Sequence, residues 1–139
     1  MKTFLNKYPD KVLSMVLWVV AAHSILMGLA LISQPAILMK WSGFDAGYER
    51  FFPAQGGVFH LLMAVAYSLG AVNSEKFHSL IVFSVIVKAV ATVFLLIYCF
   101  AVEFNRVILV SGISDGVMGM AIFIAFRRYI YFKTINGRV

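Results

Sequence analysis

Four stretches of this chain run apolar for about 18 residues or more, separated by polar connections. The first is Val12 to Ser33, closed by Gln34 and Pro35. The second is Ala54 to Val72; it is opened by Pro53, which suits a first helical turn because its missing N–H is not needed there. The third is Ser79 to Val102, and the fourth is Val107 to Phe126, closed by Arg127 and Arg128. Backbone N–H and C=O groups in hydrocarbon must find partners within their own segment, so these runs predict helices that cross a bilayer. The expected fold class is all-α: an integral membrane four-helix bundle forming one domain. Lys2, Lys7 and Lys11 precede the first run as they would a signal peptide. Its apolar stretch is too long for an h-region and no small-x-small site follows, so it is read as a retained helix.

The one long connection, residues 35–53, carries Trp41, Phe44, Tyr48, Phe51 and Phe52. Aromatic rings at that density favour the headgroup layer, which predicts an amphipathic element lying along the outer interface. A lid over an outward-facing pocket is the alternative. Tyr129, Tyr131 and Phe132, among the basic residues of the tail, read as an inner aromatic belt. Glu49 and Arg50 are expected to pair locally or with water.

Polar residues inside the apolar runs form a second pattern. Lys88 stands alone in VIVKAVATVF. With about 1.5 Å rise per residue and a hydrocarbon core of about 30 Å, it lies about 13 Å from the face nearer the termini. Asp115, in the next and antiparallel helix, lies about 18 Å from that face, within reach of a lysine stem. An isolated charge at mid-membrane costs roughly 2.5–3.5 kcal/mol, which predicts an ion pair between the two. His23 and His60 fall at about 16 Å and 20 Å, so each helix contributes one titratable residue to a middle layer.

Gly56, Gly57, His60, Ala64 and Tyr67 share a helical face, and Gly112, Gly116 and Gly119 form a close-packing stripe with Ser111 and Asp115 beside it. Ser84 and Thr92 stand one turn either side of Lys88, and Gln55 opens the second helix. This layer has two readings. It locks register in a bundle that lacks a hydrophobic drive between helices, or it is a ligand or proton site. Two histidines on facing helices also raise haem b, with His23 and His60 as axial ligands. His78, at a segment end, reads as interfacial.

Composition and charge sharpen this picture. The 139 residues are 62% hydrophobic and 13% charged, against about 45–50% and about 25% in soluble domains. A water-facing surface cannot be made from that mixture, and the mean hydropathy of +0.91 agrees. In a soluble chain the net charge of +6 would raise nucleic acid as a partner. Here the cations sit at segment ends, so the partner they point to is a membrane surface and not nucleic acid. Lys2, Lys7, Lys11, Lys76, Arg127, Arg128, Lys133 and Arg138 fall on one side, while Lys40, Arg50 and Arg106 fall on the other. This bias predicts both termini in the cytoplasm. Cys99 is the only cysteine, which excludes an intrachain disulfide. The chain has no Walker loop, HExxH, GxSxG or dinucleotide fingerprint.

The order of four spans, the long first connection, YERFFPAQGGVFHLLMAVAY opening the second helix, VKAVATVF in the third and SGISDG in the fourth resemble the DoxX-like group of small four-helix membrane proteins. The resemblance covers most of the chain and carries no sharp motif. Some members are associated with quinone-linked oxidoreductases, so it implies a redox or quinone-proximal role. It therefore points to an accessory subunit of such an assembly, working with other membrane subunits or as a homo-oligomer in a bacterial inner membrane. A lipid- or quinone-binding protein or enzyme using the polar interior is the alternative, and a b-type cytochrome a third.

Overall fold

The computed structural model describes residues 9–37, 40, 43 and 50–135. Among these residues stand four long helices, α1 (Pro9–Ser33), α2 (Phe51–Val72), α3 (His78–Ala101) and α4 (Arg106–Ile135), and no strand. All four are long and apolar enough to cross a membrane. At about 1.5 Å per residue even the shortest spans roughly 33 Å, more than the hydrocarbon thickness of about 30 Å.

The helix ends follow local chemistry more than hydropathy. α1 starts at Pro9, with Asp10 in its first turn where a carboxylate complements the exposed N–H groups. It stops where Gln34 takes φ 44°, immediately before Pro35 disfavours a further helical residue. The Gln34 side chain then donates from Nε2 to the Arg50 carbonyl at 3.0 Å, tying the end of α1 to the start of α2. α2 begins at Phe51, ahead of the expected Ala54, because Pro53 is tolerated anywhere in the first turn. α4 continues past Arg127 and Arg128 to Ile135. Charges end an apolar run but do not end a helix, and buried Tyr129 holds this extension against the bundle. Trp41, Phe44, Tyr48 and Glu49 of the first connection lie outside the described residues, as do Lys2, Lys7 and Arg138. Phe51 and Phe52 form the exposed first turn of α2.

The helices pack in a ring. α1 lies chiefly on α2 and α3 on α4, while α1–α4 and α2–α3 contacts close the square. Small residues set the two tight pairs. A Cβ added at Gly57 would stand 2.6 Å from the Gly28 carbonyl oxygen, and one at Gly28 would stand 2.9 Å from that of Gly57. On the other side a Cβ at Gly112 would meet Leu95 at 3.2 Å, one at Gly116 would meet Thr92 at 3.2 Å, and one at Gly119 would meet the Lys88 Cβ at 3.0 Å. Backbones without side chains between them approach closely, which supplies van der Waals contact along both crossings.

The interior is stratified. Its apolar core, built on Leu13, Leu17, Tyr67, Ile81, Ile122 and Phe126, fills the half nearer the described ends of α1 and α4. That end is closed by His78 edge-on to Phe126 at 4.8 Å, by Ser14 Oγ donating to the Ala71 carbonyl at 2.8 Å, and by Lys133 paired with Glu75 at 2.8 Å. Polar residues and glycines occupy the other half. Large apolar side chains such as Leu26, Val58, Phe83, Val90 and Phe123 clothe the outer faces. Cys99 is buried, its thiol facing the Asn105 carbonyl.

Candidate functional site

The polar layer begins immediately beyond the apolar core. Lys88, on the inner face of α3, is 3% exposed and Asp115, on α4, is 8% exposed. Lys88 Nζ donates directly to Asp115 Oδ1. The glycine stripe makes this possible. Gly119 and Gly116 bring the α4 backbone against Lys88 and Thr92, leaving the lysine stem to run between the helices toward the carboxylate one turn away. Opposite charges at contact in a low-dielectric interior attract strongly, and neither has water to compensate a lost partner.

The flanking hydroxyls do not join the pair. Ser84 Oγ donates to the Leu80 carbonyl and Thr92 Oγ1 to the Lys88 carbonyl, both at 2.7 Å and both one turn back along α3. Such bonds satisfy a hydroxyl inside a helix when no other acceptor is near. Tyr67, 1% exposed, sets its ring 5.9 Å from Lys88 Nζ and adds a cation–π contact from α2. His23 and His60 are half-buried and close enough to interact electrostatically with both Lys88 and Asp115, and His60 also with His23. Lys88 and Asp115 are thus in direct contact, and the two histidines lie within electrostatic range of them. Ser111 is half-buried one turn from Asp115. Gln55 is placed differently: it lies on the exposed side of α2. Spacing puts it near the layer in sequence, but the helical turn between Gln55 and Gly57 carries it to the outer face.

Ser24 on α1 belongs to this level and is not evident from charge patterning. It is 1% exposed, and its hydroxyl has no hydrogen-bond partner. The spacing of Ser14, Ala21, Ser24 and Gly28, all small and all inward-facing or at the α1–α2 contact, is the sequence signal that marks this face.

His23 and His60, the residues raised as haem b ligands, stand on adjacent helices of the ring. The stretch of α1 and α2 that carries them is bracketed by the Gly28–Gly57 backbone contact at one end and the Ser14–Ala71 hydrogen bond at the other. Among the described residues no group of three or more His, Cys, Asp or Glu side chains is placed to hold a metal ion. What the layer offers chemically is hydrogen-bond donation inside an apolar shell, from the Ser24 hydroxyl and the two imidazoles beside a mutually neutralised ion pair. Compared with family models, with curated proteins and with solved structures, the chain matches none.

Proposed function

We propose that the chain is a multi-pass membrane protein with both termini cytoplasmic, and that it is a non-catalytic accessory subunit of a redox- or quinone-linked assembly in a bacterial inner membrane. The observation that carries the non-catalytic reading is the Lys88–Asp115 contact. The two most reactive groups of the interior are engaged with each other and walled by the glycine stripe, which suits a lock between α3 and α4 better than an acid–base pair. The redox assignment follows the resemblance to DoxX-like proteins. Cross-linking in native membranes followed by purification should bring down larger membrane subunits with the protein. Recovery of the chain alone, or only with copies of itself, would overturn the accessory role.

The orientation has its own test. With Cys99 replaced by Ser, a cysteine introduced at Lys76, in the α2–α3 turn, should react with an impermeant thiol reagent only from the cytoplasmic side. One at Glu103, in the α3–α4 turn, should react only from the other side. Labelling of both from one side removes the four-span arrangement.

The unpartnered Ser24 hydroxyl supports a second reading, in which the layer holds the head of a quinone. A quinone head presents carbonyl acceptors and no donors, and the Ser24 hydroxyl and the imidazoles are donors inside an apolar shell. One lost hydrogen bond is worth about 0.5–1.5 kcal/mol, so Ser24→Ala should lower quinone retention through mild-detergent purification about 2- to 10-fold. Equal retention by wild type and variant, measured by mass spectrometry of extracted lipid, counts against this reading.

A further inference from the structure

One concavity of the molecule lies outside the polar layer. It is a groove of about 760 Å³ between the first half of α1 and the α2–α3 turn, closed at the back by Tyr129 of α4. Its lining is graded. Along α1 it runs from Asp10 and Lys11 at the end of the bundle, through Ser14 and Met15, to Trp18 and Ala22. Along the other wall it runs from Glu75 and Asn73 back to Val72 and Ala71. Both walls are charged at the bundle end and apolar farther along the bundle. The two ends of the lining on α1 are separated by about 18 Å at 1.5 Å per residue, a distance that takes a headgroup and the first half of an acyl chain.

Charge narrows the occupant. The mouth carries two carboxylates, Asp10 and Glu75, and the cation Lys11, and Lys133 pairs with Glu75 at 2.8 Å. The Glu75 side chain is 74% exposed, and a carboxylate accepts several donors, so the pair leaves it acceptor capacity. A ligand matching this mouth carries an anion and, a few bonds away, a cation with N–H donors. We propose that the groove binds an aminophospholipid of the phosphatidylethanolamine type. Its phosphate faces Lys11, its ammonium donates to Asp10 and Glu75, and one acyl chain lies along Met15, Trp18 and Ala22. Phosphatidylcholine presents a quaternary ammonium with no N–H to donate. Phosphatidylglycerol brings no cation and sets its phosphate against two carboxylates. The site therefore discriminates by hydrogen-bonding capacity and not by net attraction to an anionic surface. It rests on the reading of the chain as a membrane bundle but not on any role of the Lys88 layer.

The test is native mass spectrometry of the full chain released from nanodiscs containing phosphatidylethanolamine, phosphatidylcholine and phosphatidylglycerol in equal amounts. The expected result is an ethanolamine-lipid adduct at least about fivefold more abundant than either other adduct, which corresponds to about 1 kcal/mol. Combined Asp10→Asn and Glu75→Gln should abolish that preference while leaving total lipid adduct in place. Ala22→Trp, which obstructs the apolar end of the groove without touching the carboxylates, should reduce all adducts at the site. Equal adducts of the three lipids on the wild type, or a preference unchanged by the double variant, overturns the proposal. Failure of the chain to enter nanodiscs would instead overturn the membrane reading on which it stands.

Discussion

Lys88→Met and Asp115→Asn will each destabilise the bundle by about 3–5 kcal/mol, because each leaves a charge buried with its partner removed. The expectation follows from burial on both sides of the contact, 3% for Lys88 and 8% for Asp115, with Tyr67 and the glycine stripe shutting out water. The double replacement should recover most of the loss, since a well-packed neutral pair needs no compensation. Thermal unfolding in one detergent or lipid, followed by helical circular dichroism, gives the four corners of the cycle. Strictly additive losses would show that the two charges are not coupled. The same double variant separates the two roles of the layer. A purely structural lock leaves partner recovery and quinone retention intact when stability returns. A ligand site loses retention although the fold is restored.

The second large effect is expected at the α1–α2 crossing. Gly57→Ala puts a Cβ 2.6 Å from the Gly28 carbonyl oxygen and 2.7 Å from the Ile32 side chain. The nearer obstacle is backbone, which cannot rotate out of the way, so the helices must separate. Overpacking of this kind costs about 1–3 kcal/mol, and here it also opens the apolar contacts on either side of the crossing. Gly56→Ala is the matched control: its Cβ meets only a Leu31 methyl, at 4.0 Å. Both variants change helix propensity in the same favourable direction, so a difference between them isolates the crossing. A loss of stability at Gly57 with none at Gly56 is the expected pattern. Equal behaviour of the two would mean that α1 and α2 do not meet backbone to backbone.

Much of this molecule is legible from the chain because the rule for chains that enter a bilayer is simple. Sustained apolar runs must be helices, so four helices and their approximate order follow from hydropathy alone. The depth of Lys88 and Asp115 follows from helical rise, which is why counting residues anticipates their contact. The glycine stripe on α4 is equally visible, since period and residue size are both written in SGISDGVMG.

Other features needed the tertiary structure. The length of α4 is one: it runs through Arg127 and Arg128, because a helix is held by its backbone and by Tyr129 packing and not by apolarity. Gln55 is two residues from buried Gly57 yet faces outward, since 100° per residue changes the face while barely changing the depth. Ser24 carries no charge to draw attention, and only packing shows that its hydroxyl is sealed from water without a partner. The partner of Gly57 is also a tertiary fact: several small residues on α1 could have met it, and the crossing selects Gly28. The graded groove at the bundle end joins residues of α1, the α2–α3 turn and α4. Periodicity within one helix determines what each helix can bury, but only the pairing of helices decides which polar atoms meet and which concavities remain.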